Sequence, residues 1–163
     1  MKLNLGSNDV FYNGYTNIDI RPIEGCIVED FTKLDSIEDN SVEAIMCHNS
    51  LNMVASDRVL DVLKLWHRKL KVGGELNVAV TDGEKIFLEY INKKYTWDRV
   101  VHGVFGNMEL QRKWYGDDCE KMMGHCIFNK RSITNYLTEA GFDNIQETNS
   151  RHSDVIAFLA YKP

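Results

Sequence analysis

The residues whose types could do chemistry stand at the ends of short, apolar-biased runs. Lys2-Leu3-Asn4-Leu5 stops abruptly in Gly6-Ser7-Asn8, and Tyr15-Thr16-Asn17-Ile18 closes on Asp19. A glycine after a strand lets backbone approach a ligand closely, because no Cβ stands in the way. An acidic residue closing the next strand can accept hydrogen bonds from two ribose hydroxyls. That pairing is the nucleotide-site logic of doubly wound α/β proteins. Asp30 closes a third run, Cys26-Ile27-Val28-Glu29, and the polar cluster His48-Asn49-Ser50 follows a fourth at 42–47. Asp82 sits in Thr81-Asp82-Gly83 after a fifth run, a context that is first of all a turn. His102 and His125 lie further on, among aromatic residues.

The elements that would position these groups follow from periodicity. The gap from Gly6 to Gly14 is too short for a crossover helix, which needs about a dozen residues or more in a parallel connection. A compact loop is therefore expected there. Ser56 reads as an N-cap, and Val59, Leu60, Val62, Leu63, Leu65, Trp66 and Leu70 recur at helical spacing, with Gly73-Gly74 as a C-cap pair. Residues 75–80 alternate as a strand. A second helix is expected over 84–93. Residues 95–125 are aromatic and glycine-punctuated, which suits a lid or substrate-side segment better than idle chain; part of it, 108–114, reads as helical. Ser132 is expected to cap a helix ended by Gly141. Two antiparallel strands, 144–148 and 155–161, close the chain.

One domain covers 1–163, long enough to bury a sizeable core. Its 44% apolar and 26% charged content is ordinary for a globular protein. A formal net charge of −5 argues against nucleic acid as the main partner. No apolar run approaches the length of a membrane span, and no signal-peptide core is present, so the expected setting is cytoplasmic with no membrane partner. The four cysteines, Cys26, Cys47, Cys119 and Cys126, lack CxxC spacing and read as reduced thiols. Cys119, His125 and Cys126 lack the tight first ligand pair of a zinc site, so no metal is expected. The basic run Lys64, His67, Arg68, Lys69 and Lys71 reads as a solvated helix face.

The order of these parts resembles the class I S-adenosylmethionine-dependent methyltransferases, in particular a compact bacterial and phage branch. The resemblance is carried by Leu3-Asn4-Leu5-Gly6-Ser7, Gly14-Tyr15-Thr16-Asn17-Ile18-Asp19-Ile20 and Asp30-Phe31-Thr32-Lys33-Leu34. It continues through Asn40-Ser41-Val42-Glu43-Ala44-Ile45, Leu70-Lys71-Val72-Gly73-Gly74-Glu75-Leu76 and Leu137-Thr138-Glu139-Ala140-Gly141-Phe142. It implies a Rossmann-like three-layer sandwich, with a mostly parallel seven-stranded sheet and a C-terminal antiparallel hairpin. It implies S-adenosylmethionine as cofactor, held by Leu5, Gly6, Ser7, Asn8, Asp19, Ile20, Asp30, Phe31, His48 and Asn49. Gly6 would pass the methionine part, Asp19 the ribose and Asp30 the adenine amino group. The branch often carries Glu-His where this chain has Asn52-Met53, and a second glycine where it has Asn8; asparagine tolerates positive φ, so the turn can survive.

The implied reaction is methyl transfer to a small molecule or glycan. A hydroxyl or amine acceptor must also lose a proton, for which His48, His125 and Asp82 are the candidates, with His102 behind them. Trp114 and Tyr115 could stack on a planar or sugar substrate. Asn8, Asn52 and Met53 leave an alternative open, a catalytically degenerate relative acting in binding or assembly. An NAD-dependent reductase is disfavoured, since a dinucleotide fingerprint needs a helix N-terminus after the first strand. Oligomeric state is not legible.

Overall fold

A computed structural model describes residues 1–150 and 152–163, without the side chains of Trp114, Asp118 and Lys121. Seven strands form one sheet in the order β3-β2-β1-β4-β5-β7-β6. They are β1 (Lys2–Leu5), β2 (Thr16–Asp19), β3 (Cys26–Val28), β4 (Val42–His48), β5 (Leu70–Thr81), β6 (Asp143–Thr148) and β7 (Val155–Tyr161). Strands β1 to β5 pair in parallel. β7 runs antiparallel to both β5 and β6. This is the Rossmann-like sheet with the reversed hairpin, and no helix lies between β1 and β2.

Five α-helices accompany the sheet: α1 (Val59–Lys69), α2 (Gly83–Ile91), α3 (Trp97–Phe105), α4 (Met108–Tyr115) and α5 (Lys130–Glu139). Strand register sorts the side chains into two faces, because successive residues point oppositely. Leu3, Leu5, Ile18, Ile45, Leu76, Val78 and Phe158 share one face, and they form a continuous core with Val59, Val62, Leu63 and Trp66 of α1 and Ile133 and Leu137 of α5. Fully burying one such side chain is worth about 1.5–3 kcal/mol, so this layer dominates stability. The other face is polar, with Asn4 paired to Asn17 and Met46 in register, and Met46 to Asn77.

Several boundaries differ from the periodicity. Residues 56–58 form a turn, and α1 starts at Val59 with no side-chain cap. It ends at Lys69 rather than at the glycine pair; Gly73 takes φ +74° inside a longer β5, where its N–H donates to Lys162 O at 2.9 Å. Asp82 caps α2, which ends at Ile91. Asn129, not Ser132, caps α5, with Ser132 answering from the third helical position as a capping box. The aromatic segment is more ordered than its glycines suggest, because α3 and α4 are each capped by a side chain, Thr96 and Asn107. A 3₁₀ stretch, Gly116–Met122, follows.

The basic run of α1 is not a uniformly solvated face. Lys69 is buried, with Nζ donating to Ile37 O at 2.6 Å and lying 2.9 Å from Asp39 Oδ1. His67 packs edge-on against Phe142, and burial pushes its pKa down. Among the described residues no helix is long and apolar enough to cross a membrane.

Candidate active site

The carboxyl ends of β1 and β4 meet at a turn whose geometry their own residues dictate. Gly6 has φ +62°, and a Cβ there would stand 2.2 Å from Ser50 Oγ. The close approach demanding glycine is thus made by Ser50, whose hydroxyl donates to Gly6 O at 3.2 Å. Asn8 adopts φ +50°, the left-handed conformation asparagine accepts more readily than most residues. Asn49 does the same after β4, at φ +60°.

Two cavities open from this turn. The larger, about 570 Å³, is lined by Gly6, Ser7, Asn8, His48 and Asn49 together with residues of the polar sheet face and the β6–β7 hairpin. The smaller, about 380 Å³, shares Gly6, Asn8, His48 and Asn49 and is roofed by the segment after α2, through His102, Phe105, Gln111, Tyr115 and Met122. His48, on β4, therefore stands in a wall common to both. Its Nε2 lies 3.0 Å from Asn77 Oδ1. An amide oxygen only accepts, so this contact is a hydrogen bond when Nε2 carries the ring hydrogen, which leaves Nδ1 as the ring's acceptor.

Asp19 is nearly buried, with 5% of its surface exposed. Its Oδ2 accepts from the Asn8 backbone N–H at 2.8 Å. Its Oδ1 accepts from Arg21 N at 3.0 Å and Arg21 Nε at 3.1 Å. Arg21 Nη2 also donates to Asn8 Oδ1 at 2.5 Å. The guanidinium lies 4.3 Å from the centre of the Tyr115 ring, and burial raises the Tyr115 pKa. The carboxylate expected to face a ribose thus faces the chain's own arginine, under a tyrosine of α4.

The remaining expected site residues are dispersed. Leu5 is core and Ile20 is half exposed. Asp30 accepts from Thr32 N at 2.9 Å and Thr32 Oγ1 at 2.7 Å, and Phe31 packs at a tilt against Trp66, centres 6.1 Å apart. Neither lines either cavity. Asp82 is spent as a helix cap, accepting from Lys85 N at 3.2 Å. His125 is exposed and outside both cavity linings, whereas His102 lines the smaller one. The side chain of Trp114 lies outside the described residues. No group of three or more His, Cys, Asp or Glu is placed to hold a metal among the described residues.

Asn52 ties the roof to the sheet. Its Nδ2 donates to Cys126 O at 3.2 Å, its Oδ1 accepts from Thr81 N at 3.3 Å, and its backbone oxygen accepts from His125 N and Cys126 N at 2.8 and 3.0 Å. Sequence reasoning missed Arg21 and Asn77. A basic residue two after a strand-end acid was a local signal for the first; nothing local marked the second.

Comparison with known proteins agrees with the fold. The chain has the class I methyltransferase fold. Residues 15–78 match the family described as "Methyltransferase domain" and carry that family's pattern across β2 to β5. A protein from Pyrococcus horikoshii superposes with a TM-score of 0.70 at 15% identity, covering 99% of this chain and 81% of that one. A SAM-dependent methyltransferase from Archaeoglobus fulgidus gives 0.64 at 12%, covering 99% and 85%. A Haemonchus contortus phosphoethanolamine N-methyltransferase, solved with phosphomonomethylethanolamine and S-adenosylhomocysteine, gives 0.58 at 13%, covering 99% and 48%. A search of curated protein sequences finds no match.

Proposed function

We propose that this chain is an S-adenosylmethionine-dependent methyltransferase acting on a small molecule or glycan. The observation that carries it is the meeting of Gly6, Asn8, His48 and Asn49 in the walls of two adjacent cavities, with the Asp19 carboxylate bonded directly to the Asn8 backbone. Asp19 itself lines neither cavity, and the support for a cofactor seat comes from the turn beside it. A turn of left-handed residues, Gly6 and Asn8, presents backbone beside a buried carboxylate.

When bound, the cofactor supplies a methyl group activated on a sulfonium. The protein's part is alignment, exclusion of water and proton removal. Asp19 would take the ribose hydroxyls once Arg21 has moved aside. Gly6 and Asn8 would carry the turn past the methionine end. His48 Nδ1 would accept the acceptor's proton, with Asn77 holding the ring. Residues 95–125 would act as the lid, since their side chains already roof the smaller cavity. Of the three proton acceptors expected, His48 alone lines the cavities.

Isothermal titration with S-adenosylhomocysteine tests the cofactor half. Micromolar binding, weakened at least tenfold by Asp19→Ala, is expected. Absence of heat for the unmodified chain at millimolar ligand defeats the proposal and favours the second reading, a non-catalytic binding or assembly protein. That reading draws its support from the Arg21 guanidinium seated on Asp19.

A further inference from the structure

The larger cavity runs from His48 along the polar face of the sheet, away from Asp19. The registers His48↔Ala79 and Ala79↔Ala157 give it a floor of two small side chains. Asn4 and Asn77 rise from the same face, Asn49 stands at the end of β4, and Asn149 comes in from the β6–β7 hairpin. Tyr12, from the loop that replaces a helix between β1 and β2, forms one wall and meets His48 edge-on, centres 6.5 Å apart.

These amides keep unspent capacity. Asn4 Nδ2 donates to Val10 O at 2.8 Å and Asn17 Oδ1 at 2.9 Å, which fixes the side chain and leaves its oxygen as an acceptor. Asn77 Oδ1 faces His48, which leaves its NH₂ as a donor. Among the described residues no hydrogen bond engages the side chains of Asn49 or Asn149. An amide both donates and accepts, as a hydroxyl does, so four of them match a ligand rich in hydroxyls. No Asp, Glu, Lys or Arg lines the groove among the described residues. The groove's imidazoles are His48 and His152, and a phosphate or carboxylate seat normally relies on guanidinium, ammonium or a helix N-terminus. Tyr12 offers an aromatic surface for the apolar C–H face of a sugar ring. The volume, about 570 Å³, falls inside the range of ligand sites, about 300–1,000 Å³.

We infer that this groove seats the methyl acceptor and that the acceptor is an uncharged saccharide, a neutral sugar unit lying on the sheet with one hydroxyl turned toward His48. This rests on the methyltransferase reading for the direction of the chemistry, but not for the existence of the groove. In the transfer, the acceptor oxygen forms the new bond to the methyl carbon as the carbon–sulfur bond breaks. The hydroxyl proton passes to His48 Nδ1, and the bonding electrons leave with sulfur.

The test is a titration of ¹⁵N-labelled protein saturated with S-adenosylhomocysteine. The neutral probes are maltotriose, mannotriose and tri-N-acetylchitotriose; the charged probes are glucose 6-phosphate and glucuronate. At least one neutral probe is expected to shift the side-chain amide signals of Asn49, Asn77 and Asn149 at millimolar concentration. Tyr12→Ala and Asn149→Ala should each weaken that binding at least tenfold while leaving S-adenosylhomocysteine affinity unchanged. Silence from every neutral probe up to tens of millimolar overturns the inference. Stronger shifts from the charged probes overturn it too, as do shifts of the Asn77 and Asn149 side-chain amides produced by S-adenosylhomocysteine alone, which would make the groove the cofactor's own seat. Failure of S-adenosylhomocysteine to bind, with the neutral-sugar shifts intact, sinks the methyltransferase reading and leaves the groove standing.

Discussion

Removing the Arg21 side chain should tighten cofactor binding. Arg21 covers the Asp19 carboxylate through Nε at 3.1 Å, reaches Asn8 Oδ1 at 2.5 Å, and lies 4.3 Å from the Tyr115 ring centre. A ribose reaching Asp19 must break these contacts. A hydrogen bond involving a charged group is worth about 1.5–3 kcal/mol net, and a partly exposed cation–π contact about 0.5–1 kcal/mol. The freed guanidinium recovers water, since 20% of that side chain is already exposed, so about 2 kcal/mol is the opposing cost. At 1.4 kcal/mol per decade, Arg21→Ala should lower the S-adenosylhomocysteine Kd about 30-fold. The same variant should lose stability, because Asp19 is left buried with one partner fewer. Tyr115→Ala removes only the stacking and should tighten binding about threefold. Isothermal titration of both variants beside the unmodified chain, with Tm recorded for each, is the assay. Unchanged or weaker binding in a folded Arg21→Ala protein would refute the displacement argument, since Arg21 would then be no competitor or a direct ligand.

Gly6→Ala should cost about 2–3 kcal/mol, from positive φ and a Cβ placed 2.2 Å from Ser50 Oγ; Ser50→Gly in the same chain should recover part of that loss in denaturant titration, and no recovery would remove Ser50 as the cause. Asn77→Ala should lower kcat about tenfold with S-adenosylhomocysteine affinity unchanged; an unaltered kcat would deny Asn77 its hold on the His48 ring. His67 has a buried Nε2 without a hydrogen-bond partner, and burial, with Lys162 adding repulsion, lowers its folded pKa below the ordinary 6.5. The unfolded chain therefore binds the proton first: the stabilising contribution is whole above pH 6.5 and is lost as pH falls through the depressed folded value. Tm of the unmodified chain should drop more steeply from pH 7.5 to 5.5 than that of His67→Gln, and parallel curves would exclude His67. Burial pushes the Cys47 thiol up to about 12, so it should resist alkylation at pH 8 until the chain unfolds, while Cys26 reacts; mass spectrometry of labelled peptides reads the difference.

The closing hairpin and the places where strands end were written in local sequence. Alternating apolar residues, abrupt polar stops such as Gly6-Ser7-Asn8, and a gap too short for a helix each act over a few residues, so a linear pattern can show them. Helix boundaries were less legible. The glycine pair after α1 looked like a cap, but pairing with the last strand drew Leu70–Thr81 into one long strand.

What only the tertiary structure decided is how the strand ends use their side chains. Asn77 reaches His48 across 29 residues, Ser50 reaches Gly6 across 44, and Asn52 reaches Cys126 across 74. No period or motif encodes such pairs, because they arise from sheet register. Even Arg21, two residues from Asp19, takes its role from Asn8 and Tyr115, which folding brings to it from either side along the chain. The sequence by itself determined that a bare turn and a carboxylate would lie at neighbouring strand ends. Packing alone determined that the carboxylate would meet an arginine there, and that five asparagines would line a groove beside it, because those contacts depend on three-dimensional proximity that local periodicity does not carry.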